Sequence, residues 1–368
     1  MSKAVRAAAV ALATLVPVGL GCSLLTDLSG LRTGAGAEGG SGLDGADATI
    51  GDAPDDALAE TGTAGLTFTR RVSVANVANV PLPANHPVCF QVPAPDVTAA
   101  LAAGKVRADL GDMRVFGPTG ERSRAVDQRG AGAVAVCFRL ERPIATSATD
   151  DGYSISYGAK ALPPPVTADE AVFDFFDGFD GTVLGSRWVS EGAPVVGGGR
   201  LTLPKGTNEP AITTTASSDG IPVVASLEMR ARVVDPSSAG NAGGDFYWLG
   251  FQRGGDFVAD LPFTVFYGGT NTVTTWHGSV SGPCSSVCQD PVRAQSSAFR
   301  VYRIDRHGDA ARFTFDDDVK RDKGGPTGDL SVMIRSFLVA SDIEVDWVRA
   351  RPLIWPEPNV MLGAESAL

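Results

Sequence analysis

The sequence is poor in charge, in histidine and in aromatic rings. Only 20% of its 368 residues are Asp, Glu, Lys or Arg, three are His, and 7% are Phe, Trp or Tyr. Cations are the minority charge, 31 Lys and Arg against 42 Asp and Glu, so a phosphate-contacting basic face has no compositional support and nucleic acid is excluded as a partner. Long unbroken segments are lacking as well: 44 Gly and 24 Pro interrupt the chain too often for a helical bundle. The familiar catalytic signatures are missing. No H-E-x-x-H or G-x-S-x-G occurs, and His86, His277 and His307 stand apart without metal-ligand spacing. Gly197-Gly198-Gly199 lacks the Lys and the following helix of a phosphate loop. What the chain does have is apolar content, 43%, too much for wholesale disorder, and a length suited to two domains with appendages.

The N-terminus has the three zones of an export signal. Lys3 and Arg6 form a basic start, Ala8 to Val18 is apolar apart from Thr14 and Pro17, and Gly19-Leu20-Gly21 precede Cys22. So short an apolar run ending in small residues predicts a cleaved signal over residues 1–21 and not a membrane span. The residues before Cys22 resemble a bacterial lipobox, although Gly19 stands where that motif prefers Leu and Leu20 comes one place late. The resemblance implies a diacylglycerol on Cys22, a membrane partner through that anchor and, with Ser23 rather than Asp in the next place, an outer-membrane or cell-surface location. An ordinary secretory signal with an incidental Cys22 is the other interpretation. Residues 22–64 follow as a flexible acidic linker. From Asp27 they carry eight carboxylates against Arg32 alone and have almost no large apolar side chain to offset ordering entropy. Asp44, Asp47, Asp52, Asp55 and Asp56 lack the spacing of a calcium loop.

Residues 65–168 alternate like half-buried strands at 66–69, 71–74, 88–92, 113–116, 133–138 and 153–157, with turns at Gly117-Pro118, Gly120, Gly130 and Gly152. One helix is expected from Ala94 to Lys105, capped by Asp96 and ended by Gly104. Six strands and a helix suit a β-sandwich. Cys89 and Cys137 fall in two of the strands, and an exported location allows them a disulfide. The segment resembles domain of unknown function 2341 of bacterial surface proteins, through Phe68-Thr69-Arg70-Arg71-Val72-Ser73-Val74, Asp112-Met113-Arg114-Val115-Phe116 and Tyr153-Ser154-Ile155-Ser156-Tyr157-Gly158. Ala159 replaces the usual Asn, and the resemblance implies no activity.

After Pro163-Pro164-Pro165, a stiff hinge, residues 169–355 carry nine further alternating segments. The opening Phe175-Phe176-Asp177-Gly178-Phe179-Asp180, then Trp188 and Gly199-Arg200-Leu201-Thr202-Leu203, and the closing Val345-Asp346-Trp347-Val348 resemble the concanavalin A-like lectin/glucanase fold. The expected fold class is therefore all-β: two β-sandwich domains, the second a concanavalin A-like jelly roll, after a signal peptide and disordered linker. Residues 356–368 are assigned to a C-terminal tail.

Candidate sites are sparse. Glu344 and Asp346 have the i, i+2 spacing that puts two carboxylates on one face of a strand, as glucanases on this fold require, but Val348 stands at the third place and the strand is the last of the domain. A structural role for Asp346, bonded to backbone or Arg, is preferred. Asp316, Asp317 and Asp318 suit either calcium, the one cofactor considered, or a charged turn. Cys284 and Cys288 frame a five-residue loop suited to a local disulfide. Tyr267, Asn271, Trp276 and His277 combine rings and an amide as sugar binding does, with core packing the alternative for the Trp. The function expected is a lipid-anchored envelope protein with a non-catalytic module for glycan or a surface protein. A glycoside hydrolase and a purely structural envelope protein are the alternatives.

Overall fold

The computed structural model describes residues 65–128, 132–159, 169–206, 209–214, 224–236, 247–252, 263–269, 272–278, 288–294, 296–316, 318–324, 328, 330–337 and 341–368. Cys22, Pro163-Pro164-Pro165, Asn271, Cys284 and Asp317 lie outside these residues, and with them the expected lipid anchor, the hinge and the second disulfide.

Alternating polarity carries most of the chain into antiparallel strands. The first region holds β1 (Phe68–Ala75), β2 (Pro87–Val92), α1 (Ala94–Ala102), β3 (Arg114–Gly117), β4 (Gly120–Arg122), β5 (Arg124–Gln128), β6 (Val134–Arg139) and β7 (Thr149–Tyr157). Then come α2 (Asp169–Val172), β8 (Phe175–Asp177), β9 (Trp188–Glu191), β10 (Val195–Val196), β11 (Leu201–Leu203), β12 (Ala211–Thr214), β13 (Ala225–Val233), β14 (Tyr247–Gln252), β15 (Phe263–Gly269) and β16 (Thr272–Gly278). The chain finishes with β17 (Cys288–Ala294), β18 (Arg300–His307), β19 (Ala310–Phe315), β20 (Asp318–Gly324), β21 (Ser331–Ser336), β22 (Ile343–Pro352) and β23 (Asn359–Ala367).

The protein is all-β, built as two sandwiches. In the smaller, a five-stranded sheet ordered β23-β1-β7-β3-β4 faces a three-stranded sheet ordered β2-β6-β5. Val72, Val88, Val115, Val136, Phe138 and Ile155 fill the space between them. In the larger, a seven-stranded sheet ordered β17-β16-β15-β14-β21-β12-β9 faces a sheet ordered β10-β11-β22-β13-β18-β19-β20, with β8 beside β22. Phe266 anchors that core, its ring edge-on to Tyr302 and Phe313 at 5.2 Å. Burying each such ring contributes roughly 1.5–3 kcal/mol. Gly268 is fixed by packing: a Cβ there would lie 1.9 Å from the ring of Tyr247, its cross-strand partner.

Local signals act differently from expectation in two places. Helix α1 starts after Pro93 and has no side-chain cap; Asp96 lies inside its first turn and ion-pairs with Arg70 at 2.7 Å. Asp96 is therefore not the cap, because Pro95 already occupies the first turn and pulls the helix start forward. The other end closes with Gly104 at φ +63° and the Lys105 amide donating to Ala100 O at 2.8 Å, the expected glycine stop. The residues assigned to a tail contain β23, which pairs antiparallel with β1 from Phe68↔Ala367 to Ala75↔Asn359. The smaller sandwich thus takes an edge strand from the far end of the chain.

The opening motif of the second region is a latch. The Asp177 carboxylate accepts from Trp188 Nε1 at 2.6 Å and from the Phe179 amide at 2.8 Å, and the ring of Trp188 packs on Phe175 at 5.5 Å. Cys89 and Cys137 stand directly opposite across β2 and β6 and are disulfide-bonded. They lie on the outward side of the three-stranded sheet, where Ala125 and Cys137 pack with Val172 and Phe173 from the segment that opens the second region.

Candidate functional site

The outer face of the eight-stranded sheet presents the candidate carboxylates. Leu227, Met229, Ala231 and Val233 of β13 enter the core, so Glu228, Arg230 and Arg232 face outward. On β22, Ile343 and Val345 point inward, the pairing with β13 then skips Asp346, and Val348 and Ala350 resume the inward row. This bulge shifts the alternation by one residue. Glu344, Asp346, Arg349 and Arg351 consequently line up against the polar row of β13.

The result is a ladder of cross-strand ion pairs. Glu344 Oε2 lies 2.7 Å from Arg232 and 3.5 Å from Arg200. Asp346 pairs with Arg230. The ring of Phe299 gathers the three guanidiniums, at 4.6 Å from Arg232, 5.1 Å from Arg230 and 5.3 Å from Arg200. Next along the ladder, Arg349 donates to Glu228 at 2.7 Å and also pairs with Asp127 of the smaller sandwich. Phe173 and Trp347 sandwich its guanidinium at 4.4 and 4.3 Å. Beyond it, Glu357 bonds both Arg303 and Arg351. Burial alone would raise the Glu357 carboxyl, but these two cations hold it down at about 2. Burial, reinforced by Arg351, lowers His86 to about 4.

The general acid and nucleophile of a glycosidase need two carboxylates in different protonation states. Here each candidate is bonded to its own arginine, Glu344 to Arg232 and Asp346 to Arg230. The Glu344 and Asp346 arrangement is a ladder of cross-strand ion pairs.

The outer face of the seven-stranded sheet is of another kind. Strands β12, β14, β15, β16 and β21 contain no Asp or Glu at all. Trp248, Phe263, Val265 and Met333 form an outward apolar cluster against which Tyr267 and Phe337 pack, half-buried. Trp248 lies 5.5 Å from Phe263 and 5.6 Å from Phe337. Arg335 covers Phe337 at 4.3 Å and holds Glu209 at 2.8 Å. Burial pushes the Tyr267 phenol up to about 12. In register, Trp276 stands opposite Val265 and His277 opposite Thr264. Beyond this register, the side chains of Trp276 and His277 lie outside what the structure describes. Sequence inspection missed Phe337, Arg335 and Glu209, which reach Tyr267's face only through the pairing of β12, β21, β14 and β15.

Asp316 has a turn role: its carboxylate accepts from the Val301 amide at 3.1 Å and pairs with Arg300 at 3.0 Å. Among the described residues no three His, Cys, Asp or Glu side chains converge as a metal site, and no helix is long and apolar enough to cross a membrane.

No family model matches the chain, and no curated protein matches it. Solved structures do. One belongs to work on endo-acting O-glycanases of human gut bacteria that initiate mucin breakdown: 14% identity, 49% of this chain and 99% of that one, TM-score 0.41. A laminarinase catalytic domain from Thermotoga petrophila matches at 12% identity over 48% of this chain and 96% of its own, TM-score 0.39. The transglycosylase Crh5 matches at 18% identity over 48% and 83%, TM-score 0.37. Likeness at this level transfers neither substrate nor mechanism, because chemistry resides in sites and not in folds.

Proposed function

We propose that this chain is an exported, lipid-anchored bacterial envelope protein whose larger sandwich binds glycan, or another surface ligand, without cleaving it. The observation that carries this reading is the pairing of Glu344 with Arg232 and of Asp346 with Arg230. Each of these two carboxylates is engaged by an arginine across the strand pair, which occupies the groups that a glycosidase on this face would use as acid and nucleophile. The binding surface is the outward face of the seven-stranded sheet, where the half-buried rings of Tyr267 and Phe337 sit beside Arg335 and Glu209. Rings that stack on the apolar face of a sugar, next to groups that bond its hydroxyls, are the usual means of holding a neutral saccharide.

A glycan array probed with the folded chain, with and without calcium, tests it. Tyr267→Ala and Phe337→Ala should each weaken a positive signal about tenfold, the weight of one interfacial anchor. Absence of signal in both conditions, or binding untouched by both substitutions, would sink the reading.

A further inference from the structure

The smaller sandwich contains a cleft that its own side chains leave open. It has a volume of about 450 Å³ and lies between α1 and the strands β1, β7 and β23. Its walls are apolar: Val92, Val97, Ala100, Met113, Ile155 and Leu362. Helix α1 and its C-cap contribute Ala99, Ala100 and Ala103, side chains too small to close it. A cleft of this volume, with apolar walls and a few polar groups, has the form of a small-molecule site.

Four charged side chains line this cleft, two of each sign, and they are paired off: Arg70 with Asp96 at 2.7 Å, and Lys105 with Glu365. The balance depends on a β-bulge. Arg70 faces Glu365 and Val72 faces Leu362, so Gly363 and Ala364 of β23 together oppose Arg71. The extra residue turns Glu365 to the same side of the sheet as Leu362. There its carboxylate meets Lys105 and accepts the Tyr157 hydroxyl proton at 2.5 Å. Those two bonds hold the Glu365 carboxyl below the usual carboxylate range. Without the bulge, alternation would turn Glu365 away and leave Lys105 uncompensated. The rim is therefore neutral, and its unused bonding capacity is mixed. Arg70 donates through Nε to Gly363 O and through Nη1 to Asp96 Oδ2. Among the described residues, Nη2 of Arg70 and Oδ1 of Asp96 have no partner, the first a donor and the second an acceptor.

We propose that this cleft binds an uncharged aliphatic alcohol, its chain against the apolar walls and its hydroxyl at the Arg70 and Asp96 pair. A hydroxyl both donates and accepts, so it can use Oδ1 and Nη2 together; a carboxylate only accepts and an ammonium only donates. Either charged head would also meet two charges of its own sign, while the opposite two are already engaged. Leu362 and Glu365 come from β23, so the site is complete only when the end of the chain is seated on β1. The site is independent of the surface on the larger sandwich, and either can fail without the other.

Calorimetric titration of the folded chain with decanol, and displacement of decanol by decanoate and decylamine, test the proposal. Decanol should bind one per chain, with decanoate and decylamine each at least about tenfold weaker, the worth of a hydrogen bond to a charged group. Unbalancing the rim should then create a preference between the charged homologues. Asp96→Asn should strengthen decanoate about fivefold relative to decylamine, and Lys105→Gln should do the reverse, the worth of one unit charge near water. Ala100→Trp, which fills the cleft, should abolish decanol binding. No decanol binding, either charged homologue binding as tightly as decanol, or decanol affinity unchanged in Ala100→Trp would each overturn the proposal. Should Ala100→Trp not fold, the rim variants decide: no change of preference in Asp96→Asn and Lys105→Gln also overturns it.

Discussion

One strand pair, β13 with β22, carries the same kind of ion pair in two settings. At Glu228 and Arg349 the pair is buried beneath the smaller sandwich, with Arg349 only 1% exposed at its side chain and joined by Asp127 and Phe173. At Glu344 and Asp346 the pairs remain near solvent, with side-chain exposures of 19% and 23%. The difference teaches what the pattern is for. Removed from water, a charge depends entirely on its partner, and losing one side is severe; near water the same pair is screened and worth little. The buried end fastens the two sandwiches, and the open end is a surface.

The largest effect should come from the buried end. Arg349→Met takes the cation from Asp127 and the nearer of two from Glu228, which keeps Arg303 at 3.9 Å, and should cost about 3–5 kcal/mol in chemical denaturation. Arg232→Met should cost about 1 kcal/mol or less. Equal losses would break the comparison. Removing the disulfide with Cys89→Ala and Cys137→Ala should cost about 2–4 kcal/mol, less than Arg349→Met, because that pair constrains the unfolded chain and leaves no buried charge.

Acid should act on the buried end first. His86 lies at about 4 in the fold against 6.5 unfolded, so between those values the unfolded chain binds more protons and stability falls as pH falls. Glu357 contributes in the same direction lower down: its stabilisation is present above 4.5 and is lost towards 2. Asp169 opposes them. Burial and the nearby Asp127 push it up to about 6 from 3.8, so in that window its protonation in the fold stabilises as pH falls. Denaturation midpoints of Asp169→Asn should therefore drop more steeply between pH 6 and 4 than those of the parent chain, and His86→Asn should drop less. The smallest effect belongs to the open end: Glu344→Gln should move stability by about 0–1 kcal/mol.

Much of this was legible in the sequence, and the omissions have physical causes. All nine alternating segments of the larger sandwich are strands, because period-two polarity is what a half-buried strand requires. The missed strands break that pattern. All four residues of β12 are buried, so it shows no alternation. β17 contains Pro291, tolerable because the strand is a sheet edge. β20 is a charged run, also at an edge, and β23 resembles a tail because its partner β1 is nearly the whole folded chain away. The i, i+2 spacing of Glu344 and Asp346 was visible. Their neutralisation was not, since it depends on a bulge that sets the register of β22 against Arg230 and Arg232.

The central claim is that the larger sandwich binds without cleaving. Its most direct test is release of reducing ends from β-glucans and mucin O-glycans by the folded chain, beside a Glu344→Gln, Asp346→Asn variant. The account predicts no release above background from either protein. Release by the parent chain that disappears in the variant would contradict it.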